Sequence, residues 1–179
     1  LGRLDRAKGI PELLSAYELL FKERTDIGLI LAGGECPGTS EVDTILQHVN
    51  SDLRKTVRVI RNFPEEDKAG LISSMDVVVL PSTAESFGIV VLEAWARARP
   101  VVVCSDTPPA SLVASAGGGA SYTPGEPDEL ARTLAELQDS PEQREEMGGK
   151  GLSSVQQRYT WDNVIDRLEH ICHVANGTA

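Results

Sequence analysis

Four short apolar runs recur between residues 28 and 104, and they constrain the fold more than any other feature of the chain. They are Gly28-Leu29-Ile30-Leu31-Ala32, Val57-Arg58-Val59-Ile60, Val77-Val78-Val79-Leu80 and Val101-Val102-Val103-Cys104. All are brief and rich in β-branched residues, and three lack polar alternation. A strand with one wet face alternates, whereas a strand covered on both faces does not, so these runs predict a parallel sheet between helical layers. The intervening segments have helical starts. Pro11 opens a segment through Lys22 in which Leu13, Leu14, Tyr17, Leu20 and Phe21 form one stripe. Pro64 precedes Glu65, Glu66 and Asp67, whose charges suit a first helical turn. After residue 105 the rhythm weakens. A turn at Gly117-Gly118-Gly119 leads to a short strand at Ser121-Tyr122, then to helices over 127–138, 141–158 and 161–174 with Ser140 and Thr160 as N-caps. The pattern predicts a doubly wound, Rossmann-like α/β domain spanning residues 1–179, with a helical tail at about 127–175.

The bulk properties remove several function classes. A formal charge of -10 argues against general affinity for nucleic acid or an anionic membrane. Cys36, Cys104 and Cys172 are widely spread, without metal-ligand or pairing spacing, which suits a reducing, cytoplasmic setting. No apolar run is long enough to cross a bilayer. His48, His170 and His173 fall in expected helices without partners at metal-binding spacing, and read as surface residues. Cys104, ending an apolar run, reads as a small core residue rather than a nucleophile.

A doubly wound sheet carries its ligand at the carboxyl ends of its strands, so the loops after Leu1, Ala32, Ile60, Leu80 and Cys104 are where chemistry is expected. The sharpest segment follows Leu80: Pro81-Ser82-Thr83-Ala84-Glu85-Ser86-Phe87-Gly88-Ile89-Val90-Val91-Leu92-Glu93-Ala94-Trp95-Ala96. At the helical rise the backbones of Glu85 and Glu93 stand roughly 12 Å apart. That span suits two carboxylates gripping the two ends of one elongated ligand, each accepting from a vicinal diol. The backbone N–H groups of Ser86, Phe87 and Gly88, at an expected helix start between them, suit a diphosphate. Most surface glutamates are solvated and do nothing more. Glu93 is set apart by Leu92, Ala94 and Trp95, because a charge on an apolar helix is costly without a partner.

The opening Gly2-Arg3-Leu4-Asp5-Arg6-Ala7-Lys8-Gly9-Ile10 supplies the complementary charge. If Leu1 ends a strand, Arg3 and Lys8 lie at the same sheet edge. Arg offers a planar fork to phosphate oxygens and Lys a compact charge, and a leaving diphosphate needs such neutralisation.

These blocks together resemble the nucleotide-sugar donor domain of retaining glycosyltransferase family 4, a family of the two-lobed GT-B fold. The resemblance rests on Gly2-Arg3-Leu4 with Lys8-Gly9, on Leu31-Ala32-Gly33-Gly34, and on Pro81-Ser82 with Glu85-Ser86-Phe87-Gly88 and Leu92-Glu93-Ala94. Pro100-Val101-Val102 and Tyr159-Thr160-Trp161 complete it. It runs from residue 1 to about residue 170. It implies that Glu85 holds hydroxyls of the donor sugar and Glu93 those of the ribose. It also implies that Arg3 and Lys8 bind the diphosphate, assisted by backbone near Phe87, Gly88 and Ile89. The loop Ile60-Arg61-Asn62-Phe63 would meet the nucleobase, and Gly33 and Gly34 would line the cleft.

The resemblance further implies transfer of a hexose from a UDP-, GDP- or ADP-sugar with retention of configuration, without cofactor or catalytic metal. In such enzymes attack is from the front face, and no protein nucleophile is nominated. An acceptor-binding N-terminal lobe is expected outside this sequence, carrying any membrane contact, and the domain alone is expected to be inactive because transfer requires both lobes. Three departures stand out. Arg99 occupies a usual glycine position before Pro100, Asn62-Phe63 replaces a Gly-containing turn, and Thr107-Pro108-Pro109 replaces a Gly-rich loop. The rival readings are a sugar-nucleotide epimerase, phosphorylase or synthase of the same fold, or a non-catalytic nucleotide-sugar-binding module. A phosphorylase requires a phosphate site or a pyridoxal phosphate lysine, and none is identifiable. A receiver-like module requires an acidic cluster at one strand end, whereas Asp76 and Asp106 flank opposite ends of their runs.

Overall fold

Each of the four apolar runs forms a parallel strand in the computed structural model, which describes residues 1–35 and 41–175. The strands are β1 (Leu29–Gly33), β2 (Val57–Arg61), β3 (Val78–Leu80) and β4 (Val101–Cys104), followed by β5 (Gly119–Tyr122). The helices are α1 (Ile10–Glu23), α2 (Glu41–Leu46), α3 (Ser51–Thr56), α4 (Lys68–Ser73), α5 (Ile89–Trp95), α6 (Pro108–Ala116), α7 (Pro127–Asp139), α8 (Pro141–Arg158) and α9 (Trp161–Ala175). This is a Rossmann-like α/β lobe with a helical tail. Cys36 lies outside the described residues.

β4 explains why an unbroken apolar run is needed. All four of its residues are buried, and they alternate between two cores. Val102 and Cys104 join Leu13, Leu14, Tyr122 and Leu130 beneath α1 and α7. Val101 and Val103 join Ile72, Val91, Ala94 and Trp95 beneath α4 and α5. Fully burying one such side chain contributes roughly 1.5–3 kcal/mol, and a strand with two dry faces gains this at every position. The α1 stripe behaves as its spacing predicts, with Leu13, Leu14, Tyr17 and Leu20 buried and Phe21 half-buried. Ser140 caps α8 by accepting from the Gln143 N–H, and Thr160 caps α9 by accepting from the Asn163 N–H.

Strand pairing departs from a single sheet. β1 pairs with β2, while β3, β4 and β5 pair in that order, giving two parallel sheets among the described residues. A cavity of about 540 Å³ separates them, lined by Ile30, Val77 and Val79 among others. Leu1 lies between the ends of β1 and β3 and lines a cavity there. The residues after it run parallel to the end of β1, where Gly2 N–H donates to the Ala32 carbonyl and Leu4 N–H to that of Gly34.

Two local expectations are also corrected. His48 lies in a turn after α2 rather than in a helix, because α2 stops at Leu46. The turn at Arg99 does not need glycine, since its left-handed residue is Ala98, with φ of 51°.

Candidate functional site

Three chain segments converge at the carboxyl ends of β1 and β3. The first begins at Gly2 and closes through a 3-10 turn at Arg6–Lys8, where the Asp5 carboxylate accepts from the Lys8 N–H. Gly9 follows in the left-handed conformation. The second is the end of β1 at Gly33 and Gly34, against which the Asn62 N–H donates to the Gly33 carbonyl. The third is the loop from Pro81 to Gly88. Within it Ser82, a buried hydroxyl, donates to the Ala84 carbonyl and shapes the turn that presents Glu85.

Two glycines set how closely these segments approach. A Cβ on Gly9 would stand 2.1 Å from the Pro81 carbonyl oxygen, and one on Gly33 would stand 1.5 Å from that of Gly2. Only an unsubstituted Cα permits either contact. The first brings Lys8 beside the Glu85 loop, and the second seats Arg3 over the end of β1.

The result is a cavity of about 570 Å³ whose lining includes Arg3, Lys8, Gly33, Gly34, Glu85, Gly88, Ile89 and Glu93. Its charges are paired across elements. Lys8 Nζ donates to Glu85 Oε2 at 2.8 Å, and Lys68 Nζ donates to Glu93 Oε1 at 2.8 Å. Arg3 is more exposed and sits 3.4 Å from Asp5. Burial works to lower the pKa of Lys68, but hydrogen bonds from its ammonium to Glu93 and Glu65 outweigh it, so the value lies above the usual lysine range.

Not every residue singled out in the sequence faces this cavity. Ile60, Arg61, Ser86 and Phe87 lie outside its lining, although the neighbouring Asn62 and Phe63 belong to it. Arg61 is turned toward Glu35 at 3.0 Å and Asp43 at 2.6 Å. Phe87 is exposed and meets the Tyr159 ring edge-on, with centroids 6.3 Å apart. The helix after the loop also starts later than its sequence suggests. Val91 donates to the Gly88 carbonyl, so the first-turn N–H groups are those of Ile89 and Val90, and both residues line the cavity. Ser86 and Phe87 precede that turn.

Lys68 and Glu65 are the functional candidates that sequence reasoning missed. The run Glu65-Glu66-Asp67-Lys68 reads as a dipole-favouring helix start, and only the fold reveals that Lys68 reaches α5. Among the described residues no group of three or more His, Cys, Asp and Glu side chains is placed to hold a metal ion. Among them, too, no helix is long and apolar enough to cross a membrane.

The chain matches the family described as glycosyl transferases group 1 over residues 1–153. It is 31% identical over 172 residues to a D-inositol 3-phosphate glycosyltransferase of Corynebacterium urealyticum, covering 94% of this chain and 40% of that protein. Among solved structures it resembles Anabaena HepE in complex with UDP, with a TM-score of 0.82 and 25% identity over 98% of this chain and 48% of that one. It also shares the fold of a sucrose-phosphate synthase from Thermosynechococcus elongatus, with a TM-score of 0.83 at 23% identity, over 99% of this chain and 45% of that one. The chain thus spans about two fifths of the curated relative and under half of these structures. With the matched segment running through every loop of the cavity, this chain belongs to the glycosyl transferases group 1 family.

Proposed function

We propose that this domain is the donor-binding lobe of a retaining glycosyltransferase, which moves a hexose from a nucleoside-diphosphate sugar to an acceptor held by a second lobe. The observation that carries the reading is the convergence of Arg3, Lys8, Glu85 and Glu93 on one cavity at the carboxyl edge of the strands. HepE, solved with UDP and with UDP and glucose, supports a nucleotide-sugar as the ligand, with GDP- and ADP-sugars as the other candidates.

In this reading the diphosphate lies between the two carboxylates. Arriving phosphate oxygens draw Lys8 away from Glu85, and Arg3 with the N–H groups of Ile89 and Val90 completes the anion site. Glu85, released from its ion pair, accepts hydroxyl protons of the donor sugar, while Glu93 accepts those of the ribose. Positive charge fixed beside the leaving diphosphate stabilises it as the glycosidic bond breaks, without assistance from a metal. The wide spacing of Cys36, Cys104 and Cys172 in the sequence favours a reducing, cytosolic setting.

Calorimetric titration of the domain with UDP, GDP and ADP tests the assignment. Binding in the millimolar to micromolar range is expected, roughly -4 to -8 kcal/mol, with marked weakening by Glu93→Ala. Identical affinities for the two proteins would remove the ribose from Glu93.

A further inference from the structure

We infer that Lys68 is the positioning residue for Glu93, holding its carboxylate across the cleft so that the remaining lone pairs meet the ribose diol. The inference rests on the assignment of Glu93 to the ribose. Three observations carry it.

Glu93 lies on α5, within Ile89-Val90-Val91-Leu92-Glu93-Ala94-Trp95, and its neighbours Val91, Ala94 and Trp95 are buried. A half-buried carboxylate among such side chains loses hydration and needs a fixed partner. Nothing within α5 offers a cation. Lys68 comes from the start of α4, and its Nζ stands 2.8 Å from Glu93 Oε1 with both side chains half-buried. The bond uses one carboxylate oxygen. An ionised carboxylate presents about four acceptor sites, so Glu93 keeps the capacity to receive two hydroxyl donors while the ammonium fixes its rotamer.

Lys68 is itself held. Glu65 Oε1 accepts from the same ammonium at 2.9 Å, so two of its three donors are engaged within the protein. Glu65 is mostly exposed, and a pair of that kind contributes little by itself. Its effect is to aim Lys68 along the cavity wall. Lys68, Glu65 and Glu93 all line the cavity, together with Asn62 and Phe63. The chain Glu65–Lys68–Glu93 therefore ties the segment after β2 to α5.

The test compares UDP and GDP with their 2′,3′-dideoxy analogues, which lack the diol, on the 179-residue domain and on Glu93→Gln, Lys68→Met and Lys68→Gln. The readout is the ratio of affinities, diol over dideoxy, because a general loss of structure weakens both ligands alike. The wild type is expected to favour the diol by about tenfold or more, as charge-assisted hydrogen bonds of this type imply. Glu93→Gln and Lys68→Met should each bring the ratio close to one. Lys68→Gln, which keeps a donor at shorter reach and safeguards the test if the methionine variant folds poorly, should retain part of it. An unchanged ratio in Glu93→Gln would defeat the ribose assignment itself. A collapsed ratio in Glu93→Gln with a wild-type ratio in both Lys68 variants would overturn the role of Lys68 alone.

Discussion

Gly9 rests against the backbone of Pro81 so closely that a Cβ at Gly9 would stand 2.1 Å from the Pro81 carbonyl oxygen. Gly9 also holds a φ of 72°, a left-handed conformation that side chains disfavour by roughly 1–2 kcal/mol. The contact is between the turn that carries Lys8 and the loop that presents Glu85. Gly9→Ala is therefore expected to lower stability by about 2 kcal/mol or more, and to weaken nucleotide binding beyond what stability loss explains. Urea denaturation followed by calorimetry on the folded fraction would decide; a variant with wild-type affinity would mean the two loops need not touch.

The ion pair of Lys8 and Glu85 separates two roles that single titrations confuse. Lys8 is assigned to the diphosphate, so Lys8→Ala should raise the Kd for UDP by about tenfold or more, the worth of a charge-assisted contact. Glu85 is assigned to the sugar, which UDP lacks. Glu85→Gln should therefore leave UDP affinity within a few-fold of wild type and remove the extra affinity of UDP-glucose over UDP. Equal losses for both ligands in Glu85→Gln would show that Glu85 serves the loop's structure rather than the sugar.

The raised pKa of Lys68 gives a stability signature in alkali. A group whose folded value lies above its unfolded value contributes stability that is complete below the unfolded value, and loses it as pH rises through the folded one. For Lys68 that window opens near the ordinary lysine value of 10.5 and extends upward. The difference in melting temperature between wild type and Lys68→Met should be steady from pH 8 to about 10 and then shrink. A difference that grows through the same range would contradict the direction of the shift.

What could be seen in the sequence follows from the range of the interactions concerned. The runs of β3 and β4 gave away their strands because burial on both faces leaves a local imprint, while β2, with Arg58 exposed, shows it only in part. Ser140 and Thr160 were legible as caps because a cap acts within one turn. Arg3, Lys8, Glu85 and Glu93 could be nominated because the carboxyl ends of parallel strands share an edge. Lys68 was not legible. Its partner lies 25 residues further on, and its local context, three acidic residues at a helix start, already has a sufficient explanation. The late start of α5 shifted the nominated N–H donors because the loop before it is shaped by Ser82 and Gly88, not by propensity.

The two tryptophans of the chain should differ widely in their response to removal. Trp95 is fully buried, its indole N–H donates to the Gly118 carbonyl at 2.8 Å, and Gly118 and Gly151 both lie against its ring. Trp95→Ala should cost about 3–5 kcal/mol, from lost burial and an unfilled cavity. Trp161 is 80% exposed at the start of α9, and Ile165, Leu168 and Ile171 continue an exposed apolar face along that helix. Trp161→Ala in this chain should change stability by no more than about 0.5 kcal/mol, because nothing is uncovered when the ring is removed. Amphipathic helices keep such a face when something covers it. In a longer protein that includes the proposed second lobe, the same substitution should become distinctly destabilising. Denaturation midpoints of Trp161→Ala in both contexts make the comparison, and an equally small effect in each would show that α9 does not pack against that lobe.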